Sequence, residues 1–297
     1  MAGSHWIAMP PRFSLKYFDP PPELARHVLA LFHFVWDEDK IQDRHPGALG
    51  QIALFMRGQA EADFGDAKQE VKSEVVLFGG FTRALPYRVK GPWHAAGLSL
   101  SPLGWAALTG QPLNTHLDRF YPAEQLIDPA ITEFAAQTNA AYRAGDVSGE
   151  EACSLLAEWV TPRLRAIPPP HEAVIETTID WLGSSLNPDI EMLFSKLGYS
   201  RRQAERLIER YFGFSPAALA RKFRAVRASA LLAQDNLSDE AEAEIAEAFH
   251  DQPHMIREIS RFCGSTPSRL GGTDEPLFHT MLRLKNLDRL GEFRALE

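Results

Sequence analysis

The spacing of hydrophobic positions changes once along this chain. From Phe13 to about Pro122, apolar residues come in short aromatic-rich runs separated by turn residues. Beyond Pro122 they recur every three or four residues, the period of amphipathic helices. In the first stretch, residues 27–36 read H-V-L-A-L-F-H-F-V-W. Phe32, Phe34 and Trp36 share one parity and Leu29, Leu31 and Val35 the other, which predicts a strand buried on both faces. Gln51 to Met56 is a second run, closed by Arg57-Gly58, and residues 59–64 alternate weakly. Val75 to Phe81 is a third, with a bend expected at Gly79-Gly80. Tyr87 to Val89 and Ala95 to Leu100 read as short strands around a turn at Gly91-Pro92, and Pro102 opens a short helix through Leu108. Strands so spaced predict a small barrel or sandwich.

The second stretch predicts helices over Glu124–Ala144 and Ser148–Arg165, divided at Gly145-Asp146. Their stripes (Ile131, Phe134 and Ala135, then Cys153, Leu156, Trp159 and Val160) suit packing on the barrel or pairing of two subunits. Ile167-Pro168-Pro169-Pro170 reads as a stiff linker, followed by a helix over Glu172–Leu182. Asp189 to Leu197 is a short amphipathic helix, Gly198-Tyr199 a tight turn, and Ser200 an N-cap. Ala204, Leu207, Ile208 and Tyr211 then form an apolar stripe that ends at Gly213. Two short helices about a glycine turn make a helix-turn-helix. Ser215-Pro216 starts a longer helix to Ala233, with Leu219, Phe223, Val226 and Leu231 expected inward and Arg221, Lys222, Arg224 and Arg227 outward. The fold class is α+β. The expected parts are a β-rich domain (1–122), a helical connector and linker (123–170), a double helix-turn-helix domain (171–270) and an extra C-terminal helix (271–297).

Charge sharpens this picture. Nine cations face two anions between Lys196 and Arg227, in a chain of formal net charge −8. A basic island on an acidic protein is the footprint of phosphate contact; a solvated arginine-rich face is the alternative use. From Leu197 the chain reads L-G-Y-S-x-R-Q-x-x-R-L-x-x-R-x-x-G-x-S-P-x-x-x-x-R-x-x-R. This resembles the first half of the AraC-type DNA-binding domain. Residues 243–254, A-E-I-A-E-A-F-H-D-Q-P-H, and Gly264-Ser265-Thr266-Pro267 resemble its second half. Carried over, the resemblance offers Arg201, Arg202, Glu205 and Arg206 to base edges and Arg210 and Arg224 to phosphates. In the second unit it offers Gln252, Pro253, Arg257 and Arg261. That unit departs from the family pattern: Ala248 replaces the usual Gly, Ile259 and Cys263 the usual Phe, and Ser260 a cation. Three arginines there face eight carboxylates between Asp235 and Arg269, so the first unit is expected to supply most of the affinity.

The resemblance extends weakly to the first domain, which is similar in order and length to the family's cupin-like sensor barrels. It implies a transcription regulator, a small-molecule effector and a homodimer. Phe32, Phe34, Trp36, Phe55, Phe81, Tyr87, Trp93 and His94 are the candidate lining residues, with plain core as their other use. A domain that only dimerises or holds a protein partner, without ligand, is the alternative. His33, His45 and His94 lack the spacing of metal-binding cupins, so no metal and no cofactor are expected. Cys153 and Cys263 both fall in apolar stripes, so neither suits a nucleophile. No Ser-His-Asp, phosphate-loop or paired-carboxylate motif appears, which argues against an enzyme. No run reaches membrane-spanning length and no secretory leader is evident, so a cytoplasmic location is expected.

Overall fold

The computed structural model describes residues 13–45, 49–63, 68–70, 72–233, 237–267 and 270. The expected C-terminal helix lies outside the described residues. Strands β1 (Phe13–Phe18), β2 (Val28–Trp36), β3 (Lys40–His45), β4 (Gln51–Asp63), β5 (Lys68–Glu70), β6 (Val75–Phe78), β7 (Leu85–Leu100) and β8 (Phe120–Pro122) form one antiparallel sheet. Its order is β1-β2-β7-β4-β6-β8, with β3 added to β7 and β5 to β4. The turn expected at Gly91-Pro92 is not a turn. The strand runs through it for 16 residues. Its first half pairs with β3 and its second with β2. Gly91 permits this, since a Cβ there would overlap the Glu38 carbonyl. Likewise Arg57-Gly58 does not end a strand. Gly58, at φ 90, sits at a register shift within β4, the bulge that bends a strand without stopping it.

The parity of β2 sorts two cores. Phe34 and Trp36 join Phe55, Phe81 and Tyr87 in an aromatic cluster. Leu31 joins Ile52, Leu54 and Leu98 beneath the helices α2 (Ala130–Ala144) and α3 (Gly149–Val160). Ile131, Cys153, Leu156 and Val160 are buried there, so the sheet covers the stripes of both helices. Each such aliphatic side chain contributes roughly 1.5–3 kcal/mol of burial. A capping box starts α3: the Ser148 hydroxyl accepts from the Glu151 amide at 3.2 Å and Glu151 accepts from the Ser148 amide at 2.8 Å.

The remaining helices are α1 (Pro102–Thr109), α4 (Pro169–Gly183), α5 (Ile190–Lys196), α6 (Arg201–Phe212), α7 (Pro216–Leu232), α8 (Asp239–Ala248) and α9 (Gln252–Cys263). The proline run is a shorter linker than expected, because Pro169 already opens α4. One core gathers Trp181, Leu193, Ala204, Ile208, Leu219 and Phe223 from α4 to α7, and takes in Leu103 and Ala106 of α1. A second gathers Val226 and Ala228 of α7 with Ile245, Phe249, Ile259 and Phe262. Helix α7 therefore belongs to both units. Among the described residues, no helix is long and apolar enough to cross a membrane.

Candidate nucleic-acid interface

Helix α6 begins where Gln203 accepts from both the amide (3.2 Å) and the hydroxyl (2.8 Å) of Ser200. It ends at Gly213 in the left-handed conformation, φ 82. Ala204, Ile208, Tyr211 and Phe212 are buried, which turns Arg201, Arg202, Arg206 and Arg210 to the surface. They are not equivalent. Arg201 reaches back to α5, pairing with Glu191 at 2.9 Å and Glu205 at 3.4 Å and lying over the Phe194 ring. Glu205 is half-buried and shared with Arg201. Among the described residues, Arg202 and Arg206 project without such ties, and Arg210 lies beside the Tyr211 ring.

Three outward assignments on α7 need correction. Arg224, expected at a phosphate, is buried: it donates to Glu258 of α9 at 2.7 and 3.0 Å and to Asn187 at 2.6 Å. Both partners' side chains are about nine-tenths covered, so this guanidinium joins the two units and is not available to DNA. Arg227 is half-buried and donates to the Leu182 and Ser185 carbonyls. Lys222 is 3% exposed. Its Nζ donates to the Phe81 carbonyl of the sheet domain at 2.9 Å and lies over the Phe214 ring. Burial pulls its pKa down to about 7, against the opposing pull of Asp118 and Cys263. Arg221 alone of the four faces solvent.

Helix α9 starts on Asp251, whose carboxylate accepts from the His254 amide at 2.7 Å. Gln252, Pro253, Arg257 and Arg261 lie on its exposed face. His254 stacks edge-on to Phe249 and pairs with Glu258 at 3.3 Å. Ile259, Phe262 and Cys263 are buried. Burial drives the thiols of Cys263 and Cys153 up to about 12, so both stay protonated.

The curled sheet lines a cavity of about 70 Å³. Six of the eight candidate residues line it: Phe32, Phe34, Phe55, Phe81, Tyr87 and Trp93. Trp36 does not; it packs edge-on against Phe13 and Phe34 behind the wall. His94 also does not, because alternation points it to the other face of β7. There its Nδ1 meets the Tyr142 hydroxyl at 2.8 Å and its Nε2 meets Asp37 at 2.7 Å. The same hydroxyl lies 3.2 Å from His33, whose pKa burial lowers to about 4, so His33 is neutral. Leu15, Tyr17, His45, Gln51, Phe78 and Phe120 complete much of the wall. Leu15 and Tyr17 share one parity and alternate with Ser14 and Lys16, a signal that the sequence reading did not use. Nothing in residues 40–45, with one apolar residue, marked His45.

A sheet domain followed by two helix-turn-helix units on a shared helix, the first with an open arginine face, defines a DNA-binding protein architecture. Residues 193–271 match the family described as a helix-turn-helix domain, and this region is an AraC-type DNA-binding domain. No curated protein matches the chain. Among solved structures, the chain is similar to ToxT from Vibrio cholerae O395, at 10% identity over 85% of this chain and 98% of that one, with a TM-score of 0.45. It is similar to the same protein bound to (E)-4-(8-methylnaphthalen-1-yl)but-3-enoic acid, at 10% identity, 91% and 99% coverage and a TM-score of 0.44. Unsaturated fatty acid bound wild-type ToxT from Vibrio cholerae strain SCE256 follows, at 10% identity, 88% and 95% coverage and 0.43. Likeness this slight carries no residue role across.

Proposed function

We propose that this protein is a sequence-specific DNA-binding transcription regulator in which α6 supplies most of the base contact and α9 a minor share. The observation that supports this most is the α6 face. It exposes Arg202, Arg206 and Arg210 together, and a recognition helix presents such residues to guanine edges and phosphates. Selection of duplexes from a random pool with the full chain tests it. The expected result is an enriched site bound at least about a thousandfold tighter than scrambled duplex at fixed salt. No enrichment overturns it.

On the same reading, the sheet cavity receives a small effector. The lining is mainly aromatic and aliphatic, with the His45 imidazole and the Gln51 amide as polar members, and among the described residues no carboxylate, ammonium or guanidinium lines it. The matching compound is therefore uncharged and mainly apolar. One observation favours a second reading, a ligand-free domain: 70 Å³ is well below the roughly 300–1,000 Å³ of ordinary ligand pockets. A thermal-shift screen of neutral aromatic and aliphatic compounds on the full chain separates the two. A stabilising compound whose effect is lost in Phe34→Trp, which fills the cavity, supports the effector; a screen without one supports the second reading.

A further inference from the structure

The two recognition helices belong to different cores, and α7 is the helix those cores share. Helix α7 and the buried Arg224 network to Glu258 and Asn187 join the units, and contacts from outside that joint add to the restraint on their relative orientation. Besides the α1 side chains in the first unit's core and the ion pairs of Arg26 with Glu172 and Glu176 of α4, the sheet domain touches the two units at three further places. Leu117 packs under Gly213, the C-cap of α6. The Phe81 carbonyl accepts from Lys222 of α7. Arg44 of β3 donates to the carbonyl of Gly264, the C-cap of α9. These contacts lie at the C-terminal ends of the recognition helices and on the helix between them. The DNA-reading residues Arg202, Arg206, Gln252 and Arg257 stay exposed, so docking does not cover them.

We propose that the sheet domain is a brace: by holding the ends of α6 and α9 and the middle of α7, it fixes the spacing of the two recognition helices and preorganises them for one duplex. The proposal rests on the DNA-binding reading and adds to it how the first domain acts. Preorganisation raises affinity by removing the ordering cost from the binding step. The brace also shares residues with the cavity. The Phe81 ring is in the cavity wall while its carbonyl holds Lys222, and His45, also in the wall, adjoins Arg44. The loop that carries Phe81 is itself fixed by Asp118, which accepts from the Thr82 amide (2.8 Å) and hydroxyl (2.5 Å).

The test uses the full chain with Lys222→Met, which keeps the volume, with Arg44→Ala, and with both. Spin labels at Lys196→Cys on α5 and Glu247→Cys on α8, both exposed, report the distance between units. The native cysteines are buried and stay unlabelled. The unaltered seam gives one narrow distance distribution, and the double variant broadens it with the melting of the sheet domain retained. Affinity for the duplex selected by the full chain falls about tenfold, while affinity for a duplex cut to the strongest single half-site is unchanged. An unchanged distribution overturns the brace. So does a rise in affinity, which would make the docked state a brake. If no duplex is selected at all, the DNA-binding reading fails, and the distance measurement still judges the brace.

Discussion

The two helix-turn-helix units are built alike and charged differently. Each recognition helix starts on a polar cap, buries an apolar stripe and ends in a left-handed glycine. Yet α6 exposes four arginines, whereas α9 exposes Arg257 and Arg261 behind an acidic α8. The second unit also directs Glu258 inward, where it neutralises Arg224 from the shared helix. The contrast separates two jobs that one architecture can hold. Packing period sets the helix-turn-helix; surface charge sets how strongly it meets phosphate.

The largest effect is expected at the joint between the units. Arg224→Ala leaves Glu258 buried without its guanidinium, and removal of one member of such a pair costs about 3–5 kcal/mol. Chemical denaturation reads this as early loss of the second unit while the first persists; an unaltered transition would make the joint a surface feature. The next effect sharpens the contrast directly. Arg206→Ala should weaken binding to the selected duplex by about 1–3 kcal/mol, and Arg257→Ala by several-fold less at the same salt. Equal losses would erase the asymmetry.

A third effect concerns the seam. Lys222 has its pKa lowered to about 7 by burial, so a lysine released to water binds its proton more tightly than the docked one. Below about 7 both forms hold the proton, and docking carries the whole cost of a buried charge. Stability should therefore rise with pH from about 7 toward the ordinary lysine value of 10.5. The expected rise in Tm is a few degrees and is absent in Lys222→Met. A fall over that range would contradict the assignment. The smallest effect is at a cap: Asp251→Ala should cost about 1 kcal/mol and speed amide exchange at the start of α9 more than in α6.

The helices of the first unit were legible because period, cap and glycine stop agree at Ser200 and Gly213; the second unit was legible only through its resemblance, and its cap at Asp251 and stop at Gly264 come from the structure. The fate of the cations on α7 was not. A helical wheel gives the direction of Arg224 and Lys222 but not what covers them. Glu258 is 34 residues away from Arg224, and Phe81 is 141 residues away from Lys222. In the sheet, the parity of β2 correctly separated Phe32 and Phe34 from Leu31. Strand β3 escaped notice because Ile41 is its single aliphatic residue, and its pairing with β7 supplies what its composition lacks. His94 and Trp36 were assigned to the cavity by aromatic character alone, which does not distinguish the two faces of a strand or the wall from what lies behind it.

The most direct test of the asymmetry is a base-by-base substitution of the selected duplex, with binding of the full chain measured at one salt concentration. The account predicts a strong cluster of about three or four sensitive base pairs and a weaker one about a helical turn away, with the strong cluster losing its discrimination in Arg206→Ala. Two clusters of equal weight that ignore that substitution would contradict it.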